Sequence, residues 1–162
     1  MSRYKGELLM LVTAVMWGTG FVGMAMGLEH FTVFQLMAGR FTLATILLCI
    51  IFHKKLKLFT RAVVWKGALL GTILFGAFVL QTYGLNYTTP SKNAFLTSIN
   101  VLIVPVIAFV VYKRGFDRYE VIAAGIAVIG IGFLSLTDSF SIHIGDMLSI
   151  LCALVFAFDI FY

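Results

Sequence analysis

The chain has 162 residues, is 61% hydrophobic with a mean hydropathy of +1.04, and carries a formal net charge of +5. A soluble domain is roughly 45–50% apolar, so the composition excludes an ordinary soluble fold. The two cysteines, Cys49 and Cys152, lie inside apolar runs without metal-ligand spacing, and read as small buried hydrophobes.

Crossing a bilayer takes about 20 apolar residues, and runs of that kind follow one another almost without pause. Residues 8–28 carry no charge, and 31–52 carry one, Arg40. Residues 67–91 and 93–112 carry none, 121–137 is a shorter run, and 146–162 is open-ended. The runs are apolar all round, whereas a helix on a soluble protein has one polar face. The expected fold is an all-α polytopic membrane protein with six transmembrane helices. Five span about 8–28, 31–52, 67–88, 92–112 and 120–137, and the sixth lies within 140–162. The first run is too long for a signal peptide, and no small-residue cleavage site precedes a polar domain.

The placement of the basic residues sets an expected topology. Arg3 and Lys5 precede the first helix, Lys54, Lys55, Lys57, Arg61 and Lys66 fill the second loop, and Lys113, Arg114 and Arg118 fill the fourth. Ten of the twelve therefore share one side if the helices alternate, leaving Lys92 at the opposite edge and Arg40 in the membrane. Cytoplasmic loops carry the excess of Lys and Arg, so the N-terminus is expected in the cytoplasm. The bilayer is the partner this charge pattern implies, and nucleic acid is not.

An internal repeat follows. Residues 6–21 read GELLMLVTAVMWGTGF, and 139 residues later the chain reads GDMLSILCALVFAFDI. Gly6 meets Gly145, Glu7 meets Asp146, Leu9 meets Leu148, Ala14 meets Ala153 and Trp17 meets Phe156. Five spans separate the copies, so the second is inverted in the membrane. Inverted repeats are the plan of many secondary transporters, with the substrate path near the midplane between halves. Residues 1–139 are expected to form a first five-helix repeat. Residues 140–162 would open a second, whose remaining helices are the missing half of the same protein.

Several stretches carry a family resemblance: W-G-T-G-F at 17–21, A-G-R-F at 38–41, Y-G-L-N-Y-T-T-P-S-K-N-A-F-L-T-S at 83–98, and Pro105 midway down the fourth helix. In order and spacing the chain resembles EamA-type members of the drug/metabolite transporter superfamily. That resemblance implies a ten-helix carrier of amino acids and other small metabolites, a multi-pass protein of the bacterial inner membrane. Many such proteins close the fourth helix with a glutamate near the cytoplasmic face; Tyr112, Lys113 and Arg114 stand there here, so no role of that glutamate carries over.

The residues themselves offer candidates for a substrate path. Arg40 lies about 13–14 Å into its span, near the midplane, where an arginine costs about 2.5–3.5 kcal/mol. It reads either as a cation facing an anionic or zwitterionic substrate or as a structural anchor. Asn93, Thr97, Asn100 and Val104 follow helical spacing, a polar stripe that lines a path or glues helices. Pro105 is a kink or gating position. Gln81 is a deeper lining candidate, while Tyr83 and Tyr87 read as an interfacial belt or a gate. Trp17, flanked by Gly18 and Gly20, is too deep for a belt. Asp159, about 20 Å into the last run, is a proton-relay or cation-site candidate.

No catalytic constellation, phosphate loop, metal spacing or cofactor motif is present in the sequence. The leading expectation is a non-enzymatic secondary carrier of small metabolites, working by alternating access. The alternatives are a small multidrug-resistance-like exporter, disfavoured by the lack of a buried acid in the first helix, and a non-transporting scaffold or subunit.

Overall fold

The computed structural model describes residues 3–113, 115, 117–137 and 143–161. The regular structure among these residues is all helix, with no strand among them. In chain order the helices are α1 (Arg3–Leu28), α2 (Val33–Ile51), a short 3-10 helix (His53–Leu58), α3 (Arg61–Leu85), α4 (Pro90–Thr97), α5 (Asn100–Tyr112), α6 (Arg118–Thr137) and α7 (Ile144–Phe161). By length and hydropathy, Tyr4–Leu28, Val33–Ile51, Arg61–Leu85, Pro90–Tyr112 and Ile144–Phe161 can cross a membrane. In α6 the apolar stretch among described residues is the shorter Val121–Gly130. The protein is a polytopic helical membrane protein. The expected junction between repeats, at 139–140, falls outside the described residues, as do Arg114 and Tyr162.

Local sequence explains where helices start. Thr32 caps α2 by accepting from Gln35 N at 3.4 Å, while the Gln35 side chain accepts from Thr32 N at 2.9 Å, a reciprocal capping box. Thr60 and Thr89 cap α3 and α4 through their hydroxyls. Pro90 follows at the first turn of α4, where its missing N–H costs nothing.

The fourth span departs from expectation. It is a single span in two pieces, parted at Ser98–Ile99. Ser98 Oγ donates to Phe95 O at 2.6 Å. Backbone bonds here tighten to the i−3 pattern, with Ile99 N to Leu96 O at 3.2 Å, Val101 N to Ser98 O at 3.0 Å and Leu102 N to Ile99 O at 2.8 Å. Each such step turns the chain by about 120° in place of about 100°. Residues three apart eclipse in such a tightened turn, so Asn100 stays on the side of Thr97. Asn93 and Thr97 are buried and Asn100 is half-buried, so burial falls off along the stripe toward α5.

The core lies where α2, α3 and α7 meet, around Met37, Ala77, Phe78, Cys152 and Phe156. α7 packs along α3 and touches α4 and α5, so the last helix sits inside the group formed by the preceding ones. Small residues let helices approach closely in lipid, and Gly84 and Gly145 mark the α3–α7 crossing. A Cβ at Gly145 would lie 2.6 Å from Gly84 O and 2.9 Å from Tyr87 C. By contrast α1 is exposed from Tyr4 to Gly20 and packs only in its second half, near Phe21 and Gly27.

Overpacking a close contact costs about 1–3 kcal/mol. Gly145→Val is therefore expected to lower stability by about that amount in thermal unfolding in detergent micelles. Gly71→Ala, where a Cβ meets nothing within 4 Å, should not lower the midpoint and gains about 0.5–1 kcal/mol of helix preference.

Candidate functional site

A cavity of about 410 Å³ opens between α1, α2 and α3. One wall is apolar, from Met16, Trp17, Phe21 and Met24 of α1 and Leu85 of α3; Arg40 of α2 and Gln81 and Thr82 of α3 bring polar groups to the others. Arg40 is the eighth residue of α2, about 10 Å along that helix. Its guanidinium carbon lies 4.2 Å from the centroid of the Phe78 ring, and no carboxylate pairs with it among the described residues. Stacking of this kind returns about 0.5–2 kcal/mol, less than the roughly 2.5–3.5 kcal/mol of placing arginine at the midplane. Stacking alone therefore does not offset the cost, and a guanidinium so placed calls for water or an anionic group beside it.

The other polar groups of the cavity are partly committed. Thr82 Oγ1 donates to Phe78 O at 2.8 Å and Thr13 Oγ1 to Leu9 O at 2.8 Å, so both hydroxyl protons serve their own helices. Gln81 Nε2 donates to Thr97 Oγ1 at 3.4 Å, which leaves the amide oxygen as an acceptor. The cavity thus presents a fixed positive charge, an amide acceptor, the indole of Trp17 and an apolar wall. It suits a small molecule with an acidic end and an apolar body.

On the far side of α3, buried polar groups join α4 to α7. Asn93 Nδ2 donates to Ser149 Oγ at 2.8 Å and to Gln81 O at 3.0 Å, and Ser149 Oγ donates to Gly145 O at 2.7 Å. Toward the start of α7, the Asp146 carboxylate accepts from Thr88 Oγ1 at 2.9 Å and His143 N at 3.0 Å, and pairs with Lys92 Nζ at 2.8 Å. The Lys92 and Asp146 side chains are only 13% and 5% exposed. These contacts tie the α3–α4 turn and the first turn of α4 to α7, and they make one end of the bundle a closed polar cluster.

Residues 4–136 match the EamA-like transporter family. The chain belongs to that family. It is also 33% identical over 159 residues to an uncharacterized transporter of Archaeoglobus fulgidus, covering 98% of this chain and 49% of the relative. The chain thus spans about half the length of the curated relative it matches. No solved structure matches it.

Within this EamA-like chain, three sequence candidates converge: Trp17, Arg40 and Gln81 line one cavity although they come from three helices. Asn93 and Thr97 do not line it and are buried in contacts between helices. Tyr83 lines a separate hollow near the α1–α2 turn, edge-on to Phe34 with centroids 6.0 Å apart. Pro105 lines an apolar cleft of about 580 Å³ bordered also by Val121 and Ile160. Asp159 is half-buried near the end of α7, with a buried Oδ1 that has no hydrogen-bond partner among the described residues, and it does not line the cavity. Phe78, Thr82 and the Lys92–Asp146 pair were not read as site residues from sequence. The pair is 54 positions apart in the chain, and no local pattern announces it.

Removing one partner of a buried ion pair costs about 3–5 kcal/mol. Asp146→Ala is expected to lose about that much stability in denaturant or thermal unfolding. Lys92→Met with Asp146→Leu should lose less than Asp146→Ala alone, because no charge is left unpaired.

Proposed function

We propose that this chain forms the first five-helix repeat, residues 1–139, and the opening helix of a second, inverted repeat of a secondary carrier. The carrier moves a small anionic or zwitterionic metabolite, amino acids included, across the cell membrane by alternating access. Its N-terminus lies in the cytoplasm, on the side where the basic loops gather. Arg40 holds the acidic group of the substrate, Gln81 accepts from its donor groups, and Trp17 covers its apolar part. Asn93 and Thr97 hold the α3–α4–α7 framework that carries Gln81. Pro105 shapes the fourth span. The observation that carries this reading is the meeting of Arg40, Gln81 and Trp17 at one cavity, with no protein carboxylate on the guanidinium among the described residues. A small multidrug-resistance-like exporter of cations would place a carboxylate, not a guanidinium, in that cavity.

The two tryptophans make this testable. Trp17 lines the cavity and Trp65 is exposed on α3, so in a Trp65→Phe background the emission of Trp17 reports on cavity occupancy. Titration with a panel of amino acids and short carboxylic acids should shift that emission for at least one member. A hydrogen bond to a charged group is worth about 1.5–3 kcal/mol, so Arg40→Ala should weaken the effective ligand about tenfold or more, with Arg40→Lys in between. The same ligand should show counterflow in proteoliposomes. Equal binding by wild type and Arg40→Ala would remove Arg40 from the substrate path.

A further inference from the structure

We infer that the first half of α1 is a docking face for a helical hairpin built like α3–α4, supplied by the second five-helix repeat; the inference rests on the inverted-repeat reading above. It starts from what α7 does. α7 buries Gly145, Asp146, Ser149, Cys152, Ala153 and Phe156 against the preceding helices, with Ala157 continuing the same face. Shifted back by 139 residues, Gly145 and Ala153 meet an identical glycine and alanine, Asp146 meets Glu7 and Phe156 meets Trp17. Cys152 meets Thr13 and Ala157 meets Gly18, small for small, so only Met10 in place of Ser149 changes the character of the face. Of the positions that α7 leaves exposed, Met147, Ile150, Leu151 and Leu154 meet Leu8, Leu11, Val12 and Val15, aliphatics that suit any lipid-facing surface, while Ile144 and Phe158 meet the unlike Lys5 and Thr19 and Ile160 meets Phe21. The repeat is therefore concentrated on the packing face.

In α1 that same face is exposed at every position. A Cβ at Gly6 or Gly18 meets nothing within 4 Å, whereas one at Gly145 would strike the backbone of α3. Glycine inside a helix costs about 0.5–1 kcal/mol relative to alanine, and in lipid its compensation is close approach by another helix. A second copy of this chain has no vacant hairpin to offer, because its own α3–α4 hairpin already holds α7. The chain covers 49% of its relative's length, which leaves room for one more repeat with such a hairpin. Thr13 and Trp17 belong both to this face and to the cavity lining, so the docked hairpin would also close the open side of the cavity.

The test uses the full-length protein reconstituted in dibrominated phosphatidylcholine, which quenches lipid-facing indoles. In a Trp17→Phe, Trp65→Phe background, Met10→Trp reports on the docking face and Leu8→Trp on the opposite face at a similar depth. Met10→Trp should keep its emission while Leu8→Trp loses most of it. Equal loss at both positions would overturn the inference. Protection of Met10→Trp that vanishes on dilution into excess lipid would assign the face to a second copy, and would overturn the hairpin as occupant. If Met10→Trp does not fold, native Trp17 in Trp65→Phe alone serves as reporter: protection supports the docking face and quenching overturns it. No substrate is added, so failure of the carrier reading in the binding and counterflow assays is seen separately from failure here.

Discussion

The close crossing of α3 and α7 at Gly84 and Gly145 is the contact on which the arrangement depends. Helices in lipid gain little from burying apolar side chains, because the acyl chains are equally apolar. Association then comes from backbone proximity and from hydrogen bonds between helices. Both meet at this crossing, where the two glycines let the helices close and Asn93 and Ser149 bond across the gap. The Lys92–Asp146 pair and the Thr88 hydroxyl secure the nearby end. α7 is thereby held inside the group of helices that precede it, and α3 is held upright as the wall between this framework and the cavity.

Two charged groups in the apolar belt and at its edge are handled differently, and the difference separates framework from function. Asp146 is nearly buried and fully supplied with partners: an ammonium, a hydroxyl and a backbone N–H. Arg40 is exposed to a cavity and stacked on one aromatic ring, with no hydrogen bond to its guanidinium among the described residues. Saturated charge serves stability, and a guanidinium facing a cavity is the group on which the proposed substrate role rests. Gln81 joins the two regions. Its carbonyl and Nε2 are bonded on the α4 side, while its residue lines the cavity. A change in the packing of α4 would therefore reach the cavity through one side chain.

Much of this was legible in the residues. Uninterrupted apolar runs announce membrane helices, and a lone arginine amid apolar neighbours announces a place that needs water or a partner. Other features were not legible, because they join residues distant in the chain. A uniform helical period over the fourth span hides its parting at Ser98–Ile99. Ser98 bonding back to Phe95 and the i−3 contacts around Ile99 break that period. The partnership of Lys92 with Asp146, and of Arg40 with Phe78, depends on which helices become neighbours, and period and composition do not encode that.

By itself, then, the sequence determined a helical membrane protein, its approximate spans, the match of Gly6–Phe21 to the last helix, and the candidates Trp17, Arg40 and Gln81. These follow from hydrophobic length, charge cost and local hydrogen bonding, which act within a few residues. Only the tertiary structure decided that those three share a cavity, that Asn93 and Thr97 are spent on helix contacts, and that α7 rather than α1 occupies the centre of the bundle. The reason is physical: in lipid, the choice of neighbours rests on where two backbones can touch and which buried polar atoms find partners, and both are settled between helices.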